Sequence, residues 1–503
     1  MTTKSNSLDP RSFTPDLVSR AVGALVGQAV GDALGAFAEF GAPGQFSQRF
    51  PSPVLTGTGE MVGGGLLGWE PGEFTDDTQM AVALAESILA FGGNFDPAHT
   101  FDRFVAWAKG AHDIGSTTAA ALRFGKPWHE AAEAGHAMTG RSGGNGGVMR
   151  VAPVGIAGVR WGRIDTLWIA FDQARLTHFD PTVGVGAMVV ADLVRSAIID
   201  GTLDAHPHIK VQSYTFLPNV PKESTDIYAA LLGKKWSPFT HDGPSNGEAS
   251  TCVAQAVWAV RNTSSFADAV VAAIELGGDT DTVAAVTGAI AGAVYGLQGI
   301  PVRWVSALNG SLRRPDGSIA NYGAMGLHDL ARELLGLAPA KRTEPEAPYG
   351  PRVVTTAKSG AGVLAANLEG ARLTPASTAV VSMCIVDDRF TDRAHRREVY
   401  MRDEEGPLQN PNLAFAVREA VDAIEAFTAA GHDVVVHCHG GRSRTGLVLK
   451  AWYMRHFGVT HSEAHAWLYS IWPLYQVYNR TFWDFLEHEW TDEVLGGTGK
   501  AGK

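Results

Sequence analysis

The sequence predicts a multidomain protein, in which an all-α helical bundle is followed by a small α/β domain with a central, mostly parallel sheet. At 503 residues the chain is too long for a single hydrophobic core, so two domains are expected. Ala-rich amphipathic runs broken by Gly-rich loops fill the longer N-terminal part, which favours packed helices. Beyond a Pro-rich, charged stretch, β-branched runs appear and alternate with helical patterns, as expected for an α/β domain.

Composition also sets the expected domain limits. The stretch at 338–351 is rich in proline and charge, which is typical of a linker. Strand-like runs at 378–386 and 433–437 belong to the second domain, and a helix pattern at 446–456 follows the later run. The expected divisions are a disordered N-terminal segment at 1–16, the helical domain at 17–337, the linker at 338–351 and the α/β domain at 352–495.

Composition excludes several classes of protein. The 45% hydrophobic and 18% charged content is that of a soluble globular protein, and three cysteines are too few for a disulfide framework. A reducing, cytoplasmic location is therefore expected. The polar N-terminus lacks the apolar core of a signal peptide, and Asp192 and Arg195 interrupt an apolar stretch of near-spanning length, so no membrane partner is expected. The net charge of −11 argues against broad nucleic-acid binding.

Glycines recur at every fourth residue in two apolar segments of the first domain. This spacing places a smooth stripe along one helix face, which predicts close helix–helix packing. Arg20, Asp32 and Glu39 in the first segment favour a soluble bundle over a membrane dimer motif. The two stripes are Gly23, Gly27, Gly31 and Gly35, and Gly288, Gly292 and Gly296.

Two short runs of acidic and hydroxyl residues, Thr75-Asp76-Asp77-Thr78 and Asp279-Thr280-Asp281-Thr282, stand before apolar helical segments. Capping of a helix N-terminus explains one Asp in each run and leaves the second without a role. If the fold brings the runs together, four carboxylates repel or become protonated unless cations lie between them. Oxygen ligands select hard divalent ions such as Mg²⁺ or Mn²⁺, so the sequence predicts a two-metal site.

Five motifs in one order resemble the ADP-ribosylglycohydrolase family, which includes the dinitrogenase-reductase-activating glycohydrolase and the ADP-ribosylhydrolases. The resemblance implies an all-α fold and two Mg²⁺ or Mn²⁺ ions. The motifs are Gly31-Asp32-Ala33-Leu34-Gly35 with Glu39, the run at 75–78, Gly144-Asn145-Gly146-Gly147 with Met149-Arg150, Thr177-His178, and Gly277-Gly278 with the run at 279–282. The ligands implied by position are Thr75, Asp76, Asp77, Asp279, Asp281 and Thr282.

The resemblance implies cleavage of the ribosyl glycosidic bond in an ADP-ribosylated protein or small molecule. Such a reaction passes through a transition state with oxocarbenium character. Two metals can hold the ribose hydroxyls and orient a water. Glu39 is the candidate carboxylate that deprotonates this water or stabilises the positive charge.

The Gly-rich loop at 143–147 is a candidate binding site for the diphosphate, because glycines let backbone N–H groups approach a ligand closely. Gly144 and Gly146 supply the backbone, and Ser142 and Asn145 are expected to donate hydrogen bonds to ribose or phosphate. His178 is a further substrate-binding candidate, since related enzymes place it near the substrate; a packed or capping histidine is the alternative.

A second site is predicted where Cys438 is followed, six positions later, by Arg444, between a strand pattern and a helix pattern. The loop N–H groups and the positive helix end form an anion site, and the same field lowers the cysteine pKa to give a thiolate nucleophile. Arg444 can hold two phosphoryl oxygens, and Thr445 can donate to the departing sulfur. The loop residues expected to bind the phosphoryl group are His439, Gly440, Gly441, Arg442 and Ser443.

This segment resembles the cysteine-dependent dual-specificity phosphatases over roughly 378–490. The general acid implied by the family is Asp403, with Glu404 as the nearby competitor and Asp387 or Asp388 as more distant ones. No cofactor is expected in this domain. A nucleotide-binding P-loop lacks its Gly-Lys-Ser/Thr here, and the Arg444-Thr445 ending favours phosphoryl transfer over a rhodanese-type sulfur carrier.

Three functions are open from the sequence. The first is a bifunctional enzyme that joins a metal-dependent ADP-ribosyl hydrolase to a phosphatase, with an ADP-ribosylated partner and a phosphorylated substrate. The second is a reader, in which the helical domain binds ADP-ribose without turnover and targets the phosphatase. The third is a phosphate-binding adaptor with a phosphatase fold. The presence of Glu39 and of the six ligand-type residues argues against the reader hypothesis. The presence of Cys438 and Arg444 argues against the adaptor hypothesis.

Overall fold

The structure, a computed structural model, describes residues 8–491 except 124, 218, 242 and 244. The chain divides into two compact units. The first contains the chain up to 52, 60–300 and 307–340, and the second contains 53–59, 301–306 and the chain from 341 onward. The division at 340 falls inside the stretch predicted to be a linker.

Helices dominate the first unit, as expected for an all-α domain, and the described exception is a short antiparallel hairpin of β1 and β2. In chain order the elements up to residue 340 are α1 (Pro15–Gly35), α2 (Gln45–Arg49), α3 (Asp76–Ala90), α4 (Pro97–Ala108), α5 (Ser116–Leu122), α6 (Trp128–Thr139), α7 (Ala152–Trp161), α8 (Arg163–Arg175), α9 (Pro181–Asp200), α10 (Pro207–Gln212), α11 (Lys222–Leu231), α12 (Ala249–Arg261), α13 (Phe266–Ile274), α14 (Thr280–Tyr295), α15 (Val302–Val305, in the second unit), β1 (Ser311–Arg313), β2 (Ile319–Asn321) and α16 (Ala324–Leu334).

The beginning of the chain differs from the expectation. The sequence predicts disorder through residue 16, and residues 1–7 lie outside the described residues. From Leu8, however, the chain is structured: the Leu8 N–H donates to the Val159 carbonyl, and a 3₁₀ turn covers Pro10–Ser12. Helix α1 begins at Pro15 because the side chain of Thr14 caps it and proline suits the first helical position.

The glycine stripes pack helix α1 against helix α14, as their spacing predicts. Gly27 lies on the backbone of Gly288, and a Cβ atom at either residue would overlap the carbonyl group of the other. At the far end of the contact, Gly35 lies against the backbone of Thr280 and Asp281. The end of α1 therefore meets the start of α14, which brings the region around Glu39 to the second acidic run.

Two helices, Pro15–Ala38 and Pro181–Asp200, are long and apolar enough to span a membrane by length and composition alone. Their apolar windows are 94% and 89% buried inside the structure. Because core helices of soluble proteins pass the same test, this observation is weak support for a membrane span.

The second unit has a five-stranded sheet in the order β3-β4-β7-β5-β6, parallel except for the β3–β4 pair. Alternate residues of β7 enter two separate hydrophobic cores: Val434 and Val436 enter one, and Val435 the other. The sheet is therefore buried on both faces, as expected for parallel strands. Its elements are β3 (Arg352–Thr356), β4 (Gly362–Asn367), α17 (Leu368–Ala371), β5 (Ala379–Ser382), β6 (Arg396–Glu398), α18 (Leu413–Ala429), β7 (Val434–Cys438), α19 (Ser443–Phe457), α20 (His461–Ile471), α21 (Arg480–Asp484) and a π-helical turn (Phe485–Trp490).

Candidate active sites

Asp32, near the end of α1, caps the helix that carries the first acidic run. One of its carboxylate oxygens accepts from the Thr75 N–H at 2.9 Å, and the other accepts from the Thr78 N–H and hydroxyl at 3.0 and 2.6 Å. The N-cap residues of α3 and α14, Thr75 and Asp279, make no side-chain capping bond themselves. The expectation that capping occupies one Asp in each run is therefore wrong, because the acid that caps α3 comes from another helix.

The second acidic run is held by loops beside α14. The Asn246 side chain accepts from the Asp279 N–H at 3.1 Å, and the Asn145 side chain donates to Asp279 Oδ2 at 2.9 Å. The Thr280 hydroxyl donates to the Gly35 carbonyl at 2.8 Å. The sequence predicts that Asn145 contacts ribose or phosphate, and in this structure it orients Asp279.

The two runs converge. The hydroxyls of Thr75 and Thr282 both donate to Asp77 Oδ2 at 3.3 Å, although the two threonines are more than 200 positions apart in the sequence. Asp32, Asp77 and Asp281 each offer an oxygen within 4.8 Å of the others. Glu39, Asp113 and Asp281 do the same, so Asp281 is common to two adjacent carboxylate triads.

Neighbouring groups compensate poorly for the negative charge of the carboxylates in this cluster. Burial raises the pKa of Asp76, Asp77 and Asp281 well above the ordinary value, and the neighbouring carboxylates raise it further. Burial and then the nearby Asp113 raise the pKa of Glu39 to about 8. Asp77 Oδ1 and Asp281 Oδ1 are buried without a hydrogen-bond partner among the described residues. Unpartnered oxygens in a cluster of negative charge suit hard divalent cations.

A cavity of about 240 Å³ opens on this cluster. Its walls include Glu39, Asp113 and His178. The Gly-rich loop contributes Gly144, Asn145 and Gly146, and the acidic runs contribute Asp76, Asp279, Asp281 and Thr282.

Ser142, a predicted substrate-binding residue, lies outside this cavity. It pairs instead with His136, with 3.0 Å between the serine Oγ and Nδ1.

His178 is a buried, neutral histidine that supports the Gly-rich loop. Its Nδ1 pairs with the Thr177 hydroxyl at 2.8 Å, and burial lowers its pKa to about 3. A Cβ atom at Gly146 would lie 3.0 Å from the imidazole, so glycine is needed for this close approach. His178, which the sequence predicts to bind substrate, lines the cavity.

In the second unit, a short loop joins the buried Cys438, the last residue of β7, to the start of α19. The Trp472 indole N–H donates to the Gly441 carbonyl at 2.7 Å, and the Leu368 N–H donates to the His439 carbonyl at 3.0 Å. Gly441 has φ +66°, and a Cβ atom there would lie 2.8 Å from the Ala366 carbonyl. Helix α19 begins at Ser443, so its N-terminus faces the loop.

Arg444 and Asp403 lie together beside Cys438. Burial acts to lower the pKa of Arg444, but electrostatic interactions with the neighbouring acidic groups, Asp403 among them, outweigh it and leave the pKa raised. Arg444 Nη1 donates to the Met383 and Met401 carbonyls at 2.9 and 3.0 Å, and its Nε lies 3.4 Å from Asp403 Oδ2. The Tyr478 hydroxyl donates to the same Asp403 oxygen at 2.8 Å. Arg444 Nε and Asp403 Oδ1 lack a hydrogen-bond partner within the described chain. These two atoms are therefore buried polar groups whose hydrogen-bonding capacity is unused within the described chain.

The competing acids lie elsewhere. Glu404 pairs with Arg402 and is 58% exposed, whereas Asp387 pairs with Arg342 at 2.7 Å. Asp388 is exposed. The geometry therefore supports Asp403 over the other candidates. The Thr445 hydroxyl, predicted to serve the departing sulfur, is buried and unpartnered within the described residues.

Comparison with known proteins assigns the N-terminal part of the chain. The sequence profile of the ADP-ribosylglycohydrolase family matches residues 14–344. The chain belongs to this family. The C-terminal part of the chain matches the profile of the dual specificity phosphatase catalytic domain over residues 380–489. Both resemblances and both fold classes expected from the sequence are confirmed, and the protein is a two-domain hydrolase.

Two relatives and one solved structure resemble the helical part. The ADP-ribosyl-[dinitrogen reductase] glycohydrolase of Rhodospirillum rubrum is 31% identical over 305 residues, which are 60% of this chain and 94% of the relative. The ADP-ribosylarginine hydrolase Tri1 of Serratia proteamaculans (strain 568) is 32% identical over 304 residues, 58% of this chain and 75% of the relative. The structure, described as an ADP-ribosylglycohydrolase-related protein complex, is 31% identical with a TM-score of 0.48, over 64% of this chain and 99% of that one.

Two acids of the carboxylate cluster are not predicted from the sequence as its members. The sequence marks Asp32 only as part of a motif, although a charged residue inside an otherwise apolar helix signals a buried partner. Asp113 lies in the loop before α5 and was missed. The sequence around Asp113 offers little to identify it: the acid precedes Gly115 and a helix that begins with Ser-Thr-Thr. This pattern is also common in proteins that bind no metal.

Proposed function

We propose that this protein is a bifunctional hydrolase that cleaves the ribosyl glycosidic bond of an ADP-ribosylated substrate and, separately, hydrolyses phosphomonoesters. The carboxylate cluster that lines the 240 Å³ cavity carries the first half of the proposal. Bound there, two Mg²⁺ or Mn²⁺ ions would supply positive charge for the carboxylates and for substrate oxygens. The residues that would hold them are Thr75, Asp76, Asp77, Asp279, Asp281 and Thr282, with Asp32 and Asp113 adjacent.

Glu39 is the proposed base of the glycosidic reaction. It follows a 3₁₀ turn at the end of α1 and is fixed by its neighbour Phe40, whose N–H donates to the Gly278 carbonyl at 2.6 Å. Its carboxylate lines the cavity beside Asp113 and Asp281. Cations bound to the neighbouring carboxylates would keep Glu39 ionised, and its place in the cavity suits it to take the proton of a water that attacks the anomeric carbon. The backbone N–H groups of the Gly-rich loop would bind the diphosphate.

ADP-ribosylated arginine is the first substrate to test, because a 32% identical relative is named an ADP-ribosylarginine hydrolase. The full-length protein would be incubated with ADP-ribosyl-arginine and ADP-ribosyl-serine, and ADP-ribose release would be measured. Release is expected with Mg²⁺ and should stop with EDTA or in Asp77→Ala. Tight ADP-ribose binding by calorimetry without release of product over hours would instead establish the reader.

The phosphatase half of the proposal rests on the arrangement of Cys438, Arg444 and Asp403. The thiolate of Cys438 attacks phosphorus, so that an S–P bond forms as the ester P–O bond breaks, and Asp403 gives its proton to the leaving oxygen. Arg444 binds the phosphoryl oxygens. Water then attacks phosphorus and gives its proton to Asp403, the S–P bond breaks, and the Thr445 hydroxyl donates a hydrogen bond to the departing sulfur.

Hydrolysis of 4-nitrophenyl phosphate by the full-length protein tests this half. Turnover should persist in EDTA and disappear in Cys438→Ser. Cys384→Ser is the matched control, because Cys384 is also a buried free cysteine. Cys438→Ser should leave ADP-ribose release unchanged, as Asp77→Ala should leave phosphatase turnover unchanged. Absence of turnover by the unmodified protein would favour the phosphate-binding adaptor.

A further inference from the structure

A carboxylate from the chain ahead of the sheet is bound to the phosphatase loop. Both oxygens of Glu346 accept from Arg442, at 3.0 Å from Nη1 and 2.9 Å from Nη2. His439 Nδ1 lies 3.6 Å from one of these oxygens. Glu346 and Arg442 each keep 35% of the side chain exposed, so the pair is accessible to solutes. Arginine binds phosphate through the same arrangement, in which two parallel N–H groups donate to two oxygens of one anion.

Glu346 is held in place by its neighbours in the chain. The Asn367 side chain donates to the Ala347 carbonyl at 2.8 Å and accepts from the Tyr349 N–H at 2.9 Å. The Tyr349 ring packs edge-on against Trp472 at 5.4 Å between centroids, and Trp472 is the residue that fixes the Gly441 carbonyl. The segment that bears Glu346 is therefore attached to the same groups that shape the loop.

The guanidinium groups of Arg442, in the loop, and of Arg444, in the first turn of α19, have different environments. Arg444 is largely buried and donates to the carbonyls of Met383 and Met401. Arg442 is partly exposed and faces Glu346. The hydrogen bonds with Glu346 raise the pKa of Arg442, and burial opposes this increase. Arg442 lies in the same loop as the nucleophile, four residues after Cys438, while Arg444 occupies the position expected to hold the scissile phosphoryl group.

We propose that Arg442 and His439 form a second anion subsite beside the phosphoryl pocket, and that Glu346 occupies this subsite when no substrate is bound. The inference rests on the proposed phosphatase function and specifies its substrate class. The preferred substrates are phosphomonoesters that carry a second phosphate close to the scissile one. A phosphate dianion displaces the carboxylate because it brings more charge and more acceptor oxygens to the same cations. A simple monophosphate leaves Glu346 in place.

Turnover of phenyl phosphate and of 1,3-phenylene bisphosphate by the full-length protein tests the proposal. The two phosphates of the second compound are identical, so the ratio of the kcat/KM values reports the second anion. We expect a preference of about tenfold for the bisphosphate, in line with a charged hydrogen bond. Glu346→Gln should raise the ratio several-fold by removing the competing charge, and Arg442→Gln should lower it towards the statistical value of about two.

Glu344→Gln is the matched control, because Glu344 is an exposed carboxylate on the same segment, two positions before Glu346. It should keep the ratio of the unmodified protein. If phenyl phosphate is hydrolysed but Glu346→Gln and Arg442→Gln leave the ratio unchanged, the second subsite is refuted and the phosphatase function stands. If the unmodified protein hydrolyses neither compound, the phosphatase function itself is refuted, and the subsite with it.

Discussion

Gly31 of α1 lies directly on the backbone of Ala284 in α14, where a Cβ atom at residue 31 would overlap the Ala284 carbonyl. The contact continues along both glycine stripes and ends where Gly35 meets Asp281. Because the acidic residues follow directly from these helix ends, the interhelical distance sets the separation of the carboxylates. The stability of the helical unit and the geometry of its site therefore depend on the same contact.

Gly31→Ala should destabilise the helical unit. The overlap with the Ala284 backbone cannot be relieved by a rotamer change, so we expect a net loss of roughly 2 kcal/mol, since overpacking outweighs the helix propensity that alanine gains over glycine. Calorimetric melting would measure it. Gly115→Ala is the control, because Gly115 has φ −56° and no atom lies within 4 Å of the place that an added methyl group would take. Equal melting temperatures for both variants would contradict the packing argument.

Asp281→Asn should have opposite effects on stability with and without cations. In EDTA at neutral pH the variant should melt at a higher temperature than the unmodified protein, because folding no longer requires an acid whose ionisation is disfavoured by burial and by the neighbouring carboxylates. The increase in melting temperature that Mg²⁺ or Mn²⁺ gives the unmodified protein should be lost. Thermal shift titrations would test both effects, with the exposed Asp226→Asn as control. A full cation response in Asp281→Asn would refute the assigned site.

The metal-free protein should lose stability as the pH rises. The pKa of Glu39 is raised from 4.5 to about 8 and that of Asp32 from 3.8 to about 6, chiefly by burial. Between the unfolded and folded values the folded state binds more protons, so the free energy of unfolding falls from about pH 4.5 to about pH 8. Denaturant titrations in EDTA across this range would measure it. With saturating Mg²⁺ the dependence should flatten, and a rise in stability with pH in EDTA would contradict the assignment.

Asp403→Asn should slow phosphomonoester hydrolysis, because the variant cannot protonate the leaving oxygen. We expect a loss of roughly 10²-fold or more in kcat for phenyl phosphate, and a smaller loss for 4-nitrophenyl phosphate, whose leaving group needs less protonation. Glu404→Gln is the matched control, since Glu404 pairs with Arg402 on the surface. A larger loss of kcat in Glu404→Gln than in Asp403→Asn would indicate that Glu404, rather than Asp403, is the general acid.

Trp472→Phe should reduce phosphatase kcat/KM about tenfold, because it removes the hydrogen bond that fixes the Gly441 carbonyl in the loop. Trp490→Phe provides the comparison. Trp490 is also buried and also donates one bond to a carbonyl, that of Ala451, which lies in α19 outside the loop. Both variants should lose similar stability, so equal catalytic losses would show that the Trp472 bond has no specific effect on the loop.

Much of the fold could be predicted because local patterns agree with it. The glycine spacing in α1 and α14 predicts a contact that requires glycine at each crossing. The β-branched run before Cys438 predicts β7, which is buried on both faces and so carries no polar alternation. The hairpin of β1 and β2 was missed because its three-residue strands are too short to show a period.

The site could be predicted only in part, because its remaining members depend on tertiary contacts. Asp113 enters the cluster from a loop whose sequence has no metal-binding spacing. Asp32 caps a helix more than 40 positions away, which no local capping rule anticipates. Ser142 was misplaced because its hydroxyl pairs with His136, six positions earlier, and a loop sequence does not show where a serine side chain points.

Glu346 has a practical consequence for the dissection of this enzyme. Composition suggests cloning the phosphatase from residue 352 onward, but such a fragment would lack both the carboxylate on Arg442 and the Tyr349 ring on Trp472. Its Arg442 would be exposed to any anion in the buffer. Under the proposed role of Glu346, such a fragment should select its substrates differently and be more sensitive to inorganic phosphate and salt than the intact chain.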